Sequence, residues 1–371
     1  MAPTVLILGG RGRIGRCVAQ DLLEHTQATI IATGRQTVSV LSPQARLQVQ
    51  QLDLDEPKRL RAAIRGSDLV IHCAGPFHYR DGRVLSACIE EGKPYIDVSD
   101  HRSYYEKAIQ QREVAQEAGV TVILNTGIFP GISNSMVRMG MEQLDRAERV
   151  HLSYTVAGSG GAGLTVMRTT FLGLRQRFPA WIDGQWQMVS PYSDRETVEF
   201  PPPFGKTGVY WFDMPETYTF PESFQLQTAI TKFGSVPDFY NHLTWIAAHV
   251  FPAAWLRNPQ GIEFLARVSH RMTAISDRFS GIGVALRAEI CGSKDGQPSR
   301  LLLTLTHPNT AQAAGSGTGS VAQLLLAGKL QQPGIWPVEQ ILPTDLFLAT
   351  LKSRKLVINS QIISETSVRK T

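Results

Sequence analysis

Thr4-Val-Leu-Ile-Leu-Gly-Gly-Arg-Gly-Arg-Ile-Gly15 opens the chain and decides its fold. Thr4 to Leu8 is an apolar run rich in branched side chains, with the length and composition of a strand buried on both faces. Gly10-Arg11-Gly12-Arg13-Ile14-Gly15 follows as Gly-x-Gly-x-x-Gly, and Val18, Leu22 and Leu23 continue at helical spacing. Each glycine has a mechanical task. Gly10 permits the tight turn out of the strand, Gly12 lets a diphosphate approach the backbone, and Gly15 lets helix and strand pack closely. The helix start adds free N–H groups and the positive end of a dipole. The segment therefore predicts a dinucleotide seat formed by Gly10, Arg11, Gly12, Arg13, Ile14 and Gly15.

Strands and helices alternate outward from this turn. Ala28 to Ala32 reads as a second strand, ending in Thr33-Gly34-Arg35. A chain selective for NAD places an acid here on the ribose 2′-hydroxyl, whereas Gly34 and Arg35 offer space and a cation. With Arg11 able to reach the same group, the expected cofactor is NADP (NADPH). Leu47 to Leu52 is a third strand, closing in Asp53-Leu54-Asp55, where Asp53 either bonds the adenine edge or caps, and Leu54 lies alongside. Pro57 to Arg65 is a helix, with acids before it and Gly66 after it. Strand four, Asp68 to Gly75, ends in the small residues Cys73, Ala74 and Gly75 before Pro76, which leaves room for a cofactor. A helix over Gly82 to Glu91, a strand over Tyr95 to Ser99, a helix over Tyr104 to Ala118 and a strand over Val120 to Leu124 complete the pattern. This alternation predicts an α/β fold, a Rossmann-type doubly wound parallel sheet.

At 371 residues the chain suits two domains. Beyond about residue 150 the character changes. His151 to Ala157 alternates, Ala285 to Cys291 and Leu301 to His307 suit a hairpin about Gly292 to Gly296, and Asp238 to Arg257 and Pro259 to Phe279 read as helices. Gly317-Thr-Gly319 leads into a helix over Ser320 to Lys329, and Leu346 to Arg354 is a last amphipathic helix. The expected organisation is 1–132 as the Rossmann domain, 133–316 as an inserted α+β mixed-sheet domain for substrate and dimer contacts, and 317–371 as a C-terminal return to the first domain. The end beyond Glu365 is expected to be loose.

Apolar residues make up 43% and charged residues 19%, as in globular proteins with a large core. The net charge of +5, with no run of five Lys or Arg, suits a small anionic ligand and argues against a nucleic-acid partner. Four scattered cysteines without Cys-x-x-Cys point to a reducing, cytoplasmic setting. With a strand starting at Thr4, no targeting peptide is expected before it. No apolar run reaches the roughly 18 residues of a membrane span. Leu243 to Leu256 comes closest, leaving open both a buried helix and a lipophilic surface with peripheral membrane contact.

The glycine loop, Cys73-Ala-Gly-Pro-Phe77 and Ala87-Cys-Ile-Glu-Glu-Gly-Lys-Pro-Tyr-Ile-Asp-Val-Ser99 together resemble the saccharopine dehydrogenase-like family. Asn125 to Asn134, Thr318 to Ala322 and Pro333 to Pro337 are similar to its domain join and C-terminal return. The resemblance implies an NADP-binding Rossmann domain, a mixed second domain that often forms a homodimer, and hydride transfer to or from C=N, C=O or C=C of a small-molecule substrate. The second domain, with Trp181, Trp186, Tyr210, Trp211, Phe212 and Phe224, departs from what an amino-dicarboxylate needs. An alternative is therefore a reductase of a lipophilic enoyl or polyprenyl-type substrate, and another is a non-catalytic NADP-binding sensor.

Hydride transfer needs a positioned proton donor or acceptor. Topology brings the ends of strands four and five to the nicotinamide, so His78, Tyr79 and Asp97 are the candidate catalytic residues. His78 would donate the proton and Tyr79 would pack on the cofactor or donate. Asp97, with Ser99, would hold the carboxamide or a ribose hydroxyl, or cap the next helix. Asp100 and His101 form a possible acid-oriented imidazole. No His/Cys spacing suggests a metal, no Gly-x-Ser-x-Gly elbow suggests a hydrolase, and no Tyr-x-x-x-Lys suggests a short-chain dehydrogenase.

Overall fold

The computed structural model describes residues 2–36, 45–161 and 163–364. The expectation for the tail beyond Glu365 lies outside these residues. The chain divides into two compact units, 1–132 with 311–354, and 133–310 with the stretch from Lys355 onward.

The first unit begins β1 (Thr4–Leu8), α1 (Arg13–His25), β2 (Thr29–Gly34), β3 (Leu47–Gln51), α2 (Pro57–Arg65), β4 (Leu69–His72), α3 (Arg83–Glu90), β5 (Tyr95–Asp97), α4 (Arg102–Ile109), α5 (Arg112–Glu117) and β6 (Thr121–Leu124). The second follows with α6 (Ile132–Met141), β7 (Arg146–Ala157), α7 (Leu164–Leu172), β8 (Phe178–Ile182), β9 (Gln185–Val189), β10 (Glu196–Phe200), β11 (Gly205–Trp211), α8 (Glu216–Ser223), β12 (Thr228–Val236), α9 (Phe239–His249), α10 (Ala253–Arg257), α11 (Pro259–Ser280), β13 (Gly283–Lys294) and β14 (Gln297–His307). The chain then supplies α12 (Thr310–Leu326), β15 (Gly334–Pro337), α13 (Val338–Ile341) and α14 (Thr344–Ser353) to the first unit and β16 (Asn359–Ser364) to the second.

All seven strands of the first sheet run parallel in the order β3-β2-β1-β4-β5-β6-β15. This is the doubly wound order, and the chain reverses its direction of travel across the sheet between β1 and β4. Ligands of such sheets bind in the crevice at the carboxyl ends of those two strands. Val5 to Leu8 and Val70 to Ile71 are fully buried, as strands covered on both faces require. The second sheet is mixed. Its path is β10-β11-β12-β7-β13-β14-β16, with β7 and β12 parallel and a β8–β9 hairpin joined to β12. The hairpin read from the sequence forms, with β13 and β14 paired from Val284↔His307 to Lys294↔Gln297.

Four expectations need correction. The helix over Tyr104 to Ala118 is two helices, broken at Gln110 and Gln111, where the Gln111 amide accepts from Ser86 Oγ at 2.8 Å. Gly317 and Gly319 do not precede a helix but lie inside α12. The return to the first unit starts at Ala311 rather than 317. It also ends early, because β16 leaves the first unit and pairs with β14, Leu301 opposite Ile362. Burial explains the misread glycines. A Cβ on Gly315 would lie 2.6 Å from Cys17 Cβ, and one on Gly319 would lie 2.0 Å from Asp21 Oδ1, so α12 sits against α1 with no room for side chains.

Candidate functional site

The turn after β1 is built from close approaches. A Cβ on Gly15 would meet Gly9 O at 2.3 Å, one on Gly10 would meet Ala32 at 2.8 Å, and one on Gly9 would meet Ala74 Cα at 2.9 Å. Gly9 also has φ of +75°, a conformation that favours glycine. These contacts draw the ends of β1, β2 and β4 together under the start of α1. Gly12 is the N-cap of α1 and brings no side chain to the helix end, whose first turn holds no acid. A helix start left without a side-chain cap or a carboxylate is suited to phosphate oxygens.

Arg11 extends across Gly34, where a Cβ would lie 2.9 Å from Arg11 Cδ. Its guanidinium donates to Gln36 O, and its backbone N–H donates to Thr33 O at 3.2 Å. Arg35 is exposed beside it. Arg80, which the sequence reading missed, donates from Nε to Ala74 O at 2.7 Å. Burial lowers its pKa, the Asp55 carboxylate opposes that shift, and the neighbouring Arg35 charge adds to it. Three guanidinium groups thus gather around the ends of β2 and β4. No local spacing announces Arg80, because its place is set by the turn after β4. Asp53 has turned to its own backbone, accepting from Asp55 N–H at 3.1 Å. Leu54 lines a pocket of about 40 Å3 together with Asp55, His72, Tyr79, Arg80 and Tyr104. That volume holds a few waters and no aromatic ring.

Behind this lies a buried polar chain. His72 Nδ1 lies 2.9 Å from Tyr95 Oη, which is 2.6 Å from Tyr104 Oη and donates to Asp97 Oδ2 at 3.1 Å. Asp97 Oδ1 accepts from Ser99 Oγ at 2.7 Å, from Ser99 N–H at 3.0 Å and from Asn125 N–H at 3.0 Å. Asn125 Nδ2 in turn donates to Ser99 O at 2.8 Å. Burial holds the His72 pKa down to about 3, the nearby Arg80 charge adding to the effect, and His72 Nε2 has no hydrogen-bond partner among the described residues. Burial raises the Asp97 carboxyl to about 6 against the pull of its Ser99, Asn125 and Tyr95 donors. Asp97 is fully enclosed and both its oxygens are engaged by protein donors. Its carboxylate ties the end of β5 to the loop after β6. Ser99 is enclosed with it.

His78 and Tyr79 follow the Cys73–Pro76 turn as expected but behave differently. His78 Nδ1 lies 3.1 Å from His101 Nε2, and His101 is fixed by Ser103, whose Oγ is 2.9 Å from Nδ1. His101 thus pairs its imidazole with that of His78. Tyr79 is half exposed and packs edge-on against His78. Cys73 is half-buried, and burial raises its thiol pKa, so it stays protonated. Among the described residues no group of His, Cys, Asp and Glu is arranged to hold a metal ion. No described helix is long and apolar enough to cross a membrane.

Residues 5–123 match the family model of the saccharopine dehydrogenase NADP-binding domain. The first domain is thus similar to the saccharopine dehydrogenase NADP-binding domain. NADP is accordingly the cofactor its family seats in this domain. A probable mitochondrial saccharopine dehydrogenase-like oxidoreductase of Arabidopsis thaliana is 23% identical over 141 residues, which are 33% of this chain and 31% of that protein. The match thus spans about a third of that relative's length. Carboxynorspermidine synthase of Vibrio alginolyticus is 22% identical over 346 residues, covering 83% of this chain and 81% of that one. Apo saccharopine dehydrogenase (L-Glu forming) from Saccharomyces cerevisiae shares the fold, with a TM-score of 0.69 over 98% of this chain and all of that one, at 14% identity.

Proposed function

We propose that the protein is an NADP-preferring oxidoreductase that transfers a hydride between the nicotinamide and a C=N or C=O bond of a small metabolite. The observation that carries this is the uncapped, acid-free start of α1 above the β1–β4 switch point, with Arg11 lying across Gly34. The relatives named above support the oxidoreductase class. Bound there, the cofactor would supply the hydride. The chain's own residues do the rest. Gly12 and the first N–H groups of α1 hold the diphosphate, Arg11 and Arg35 face the 2′-phosphate, and Arg80 braces the turn that lines the ribose. Leu54 packs the adenine edge. Cys73 to Pro76 keep the strand end narrow enough for a ring.

His78 delivers or takes the proton, and His101 keeps its imidazole oriented. Asp97 acts as a positioning residue, setting the loop through Asn125. The resemblance to a carboxynorspermidine synthase over most of the chain favours a substrate bearing amino and carboxyl groups over the lipophilic enoyl alternative. A homodimer and a cytoplasmic location belong to the same reading. The test is a panel of α-keto acid and amine pairs, carbonyls and enoyl compounds incubated with NADPH, following loss of its near-ultraviolet absorbance. The reading expects turnover with at least one imine-forming pair or carbonyl, and a loss of about 100-fold in His78→Ala. Turnover with enoyl compounds alone would overturn it.

A further inference from the structure

Nine of the sixteen large apolar side chains that the described residues leave exposed lie between Phe239 and Ile282 in the second unit. They are not scattered. On α11, Phe264, Val268 and Ile275 are exposed at 57%, 38% and 65%, and steps of four and seven residues put them within about 40° of each other around the helix. Ile262, Ala266 and Thr273 occupy the opposite, buried face, and Leu265 is buried on the flank between. The helix is therefore apolar on both sides while only one side is covered, a pattern that calls for a partner on the other. Trp255 extends the stripe, its ring 6.3 Å from Phe264, and Phe251 lies 6.0 Å from Trp255. On α9, Phe239, Trp245 and Ile246 face outward, and Tyr240 Oη ties α9 to α11 through Ser276 Oγ at 2.7 Å.

The charges beside this face share one sign. Its three acids are occupied. Glu263 is held by Arg168 and Arg267, which keep its pKa down to about 2, Asp277 accepts from Ser159 N–H and Oγ, and Asp238 accepts from Asn241 and Arg195. Arg257, Arg271 and Arg278 are exposed and have no acidic partner among the described residues. Arg271 and Arg278 project along the edge of the Phe264–Ile275 stripe.

We propose that this face docks on an anionic lipid surface. Trp and Phe side chains enter the headgroup boundary while arginines meet phosphate and carboxylate headgroups, the combination that holds amphipathic helices in an interface without spanning it. A protein partner with an apolar surface would leave three unpaired arginines at the rim, whereas lipid phosphates pair with them. Proposal and cofactor reading are independent, since the face belongs wholly to the second unit.

The experiment sediments the full chain with vesicles of phosphatidylcholine alone and of phosphatidylcholine with about one-third phosphatidylglycerol. Binding is expected at least about fivefold stronger to the anionic vesicles, weakening as salt is raised. The double variant Phe264→Glu, Ile275→Glu should lose it, and Arg271→Glu should weaken it, with NADPH binding unchanged in both. The same variants are run on a sizing column. Equal sedimentation of wild type and double variant, or none of either, overturns the proposal. So does a wild-type dimer that the double variant splits, which would make the face an interface between copies.

Discussion

Arg11 lies across Gly34 in the place where an NAD-selective chain would carry an acid, and Arg35 stands next to it. Reversing one of these charges should reverse the choice. Arg35→Glu is expected to weaken NADPH by about 100-fold and NADH by less than about threefold in fluorescence titrations, since a carboxylate repels the 2′-phosphate but tolerates a hydroxyl. Equal weakening of both would detach Arg35 from the phosphate. His72 and Asp97 make a second prediction at this scale. The folded pKa of His72, about 3, lies below its ordinary value, so His72 contributes stability that is present above about pH 6.5 and is lost as pH falls toward 3. Asp97, raised to about 6, contributes in the opposite sense, stabilising at low pH and losing that as pH rises through 6. Between pH 5 and 6 the two slopes oppose. His72→Asn removes one of them, so urea unfolding should show its stability relative to wild type rising by about 1 kcal/mol from pH 6 to 5. The glycine loop was legible because its meaning is local. The His72–Tyr95–Asp97–Asn125 chain was not, because its partners are joined across two neighbouring strands and the loop after a third, and no period in the sequence marks them.

Elements whose pattern is internal were read closely. β1 and α2 have the bounds that their apolar run and their proline and glycine signals imply. α12 was misread because glycine in a helix looks like a turn until its neighbour is known. Here Gly315 and Gly319 admit α1 at contact distance. β15 has only four residues and the Asn-Ser-Gln-Ile-Ile-Ser of β16 does not alternate, so only their partners β6 and β14 reveal them. α14 is locked to α1 by one buried pair. Arg354 Nε and Nη2 reach Asp21 Oδ2 and Oδ1 at 2.8 and 2.6 Å, with both side chains enclosed. Arg354→Met would leave the Asp21 carboxylate buried without its cation and should cost about 3 kcal/mol in chemical unfolding, whereas Asp21→Asn with Arg354→Met should recover part of it. No recovery would mean that Arg354 acts through packing alone.

At the scale of the whole molecule, the first unit carries a sheet whose strand order puts one crevice at β1 and β4, and a helix start with no side-chain cap and no acid in its first turn. The second carries a mixed sheet and a helical face with unpaired arginines. The sequence conveyed the first because parallel strands are continuous apolar runs separated by helices. It conveyed the second only as a class, since mixed-sheet pairing depends on contacts between distant strands, and the outward Trp and Phe side chains of α9 to α11 look in sequence like core. Calorimetric titration of the full chain with NADPH tests the account most directly. It predicts saturable binding near one cofactor per chain, at least about tenfold tighter than NADH and lost in Arg11→Glu. A flat titration with folded protein, or NADPH binding untouched by Arg11→Glu, would contradict it.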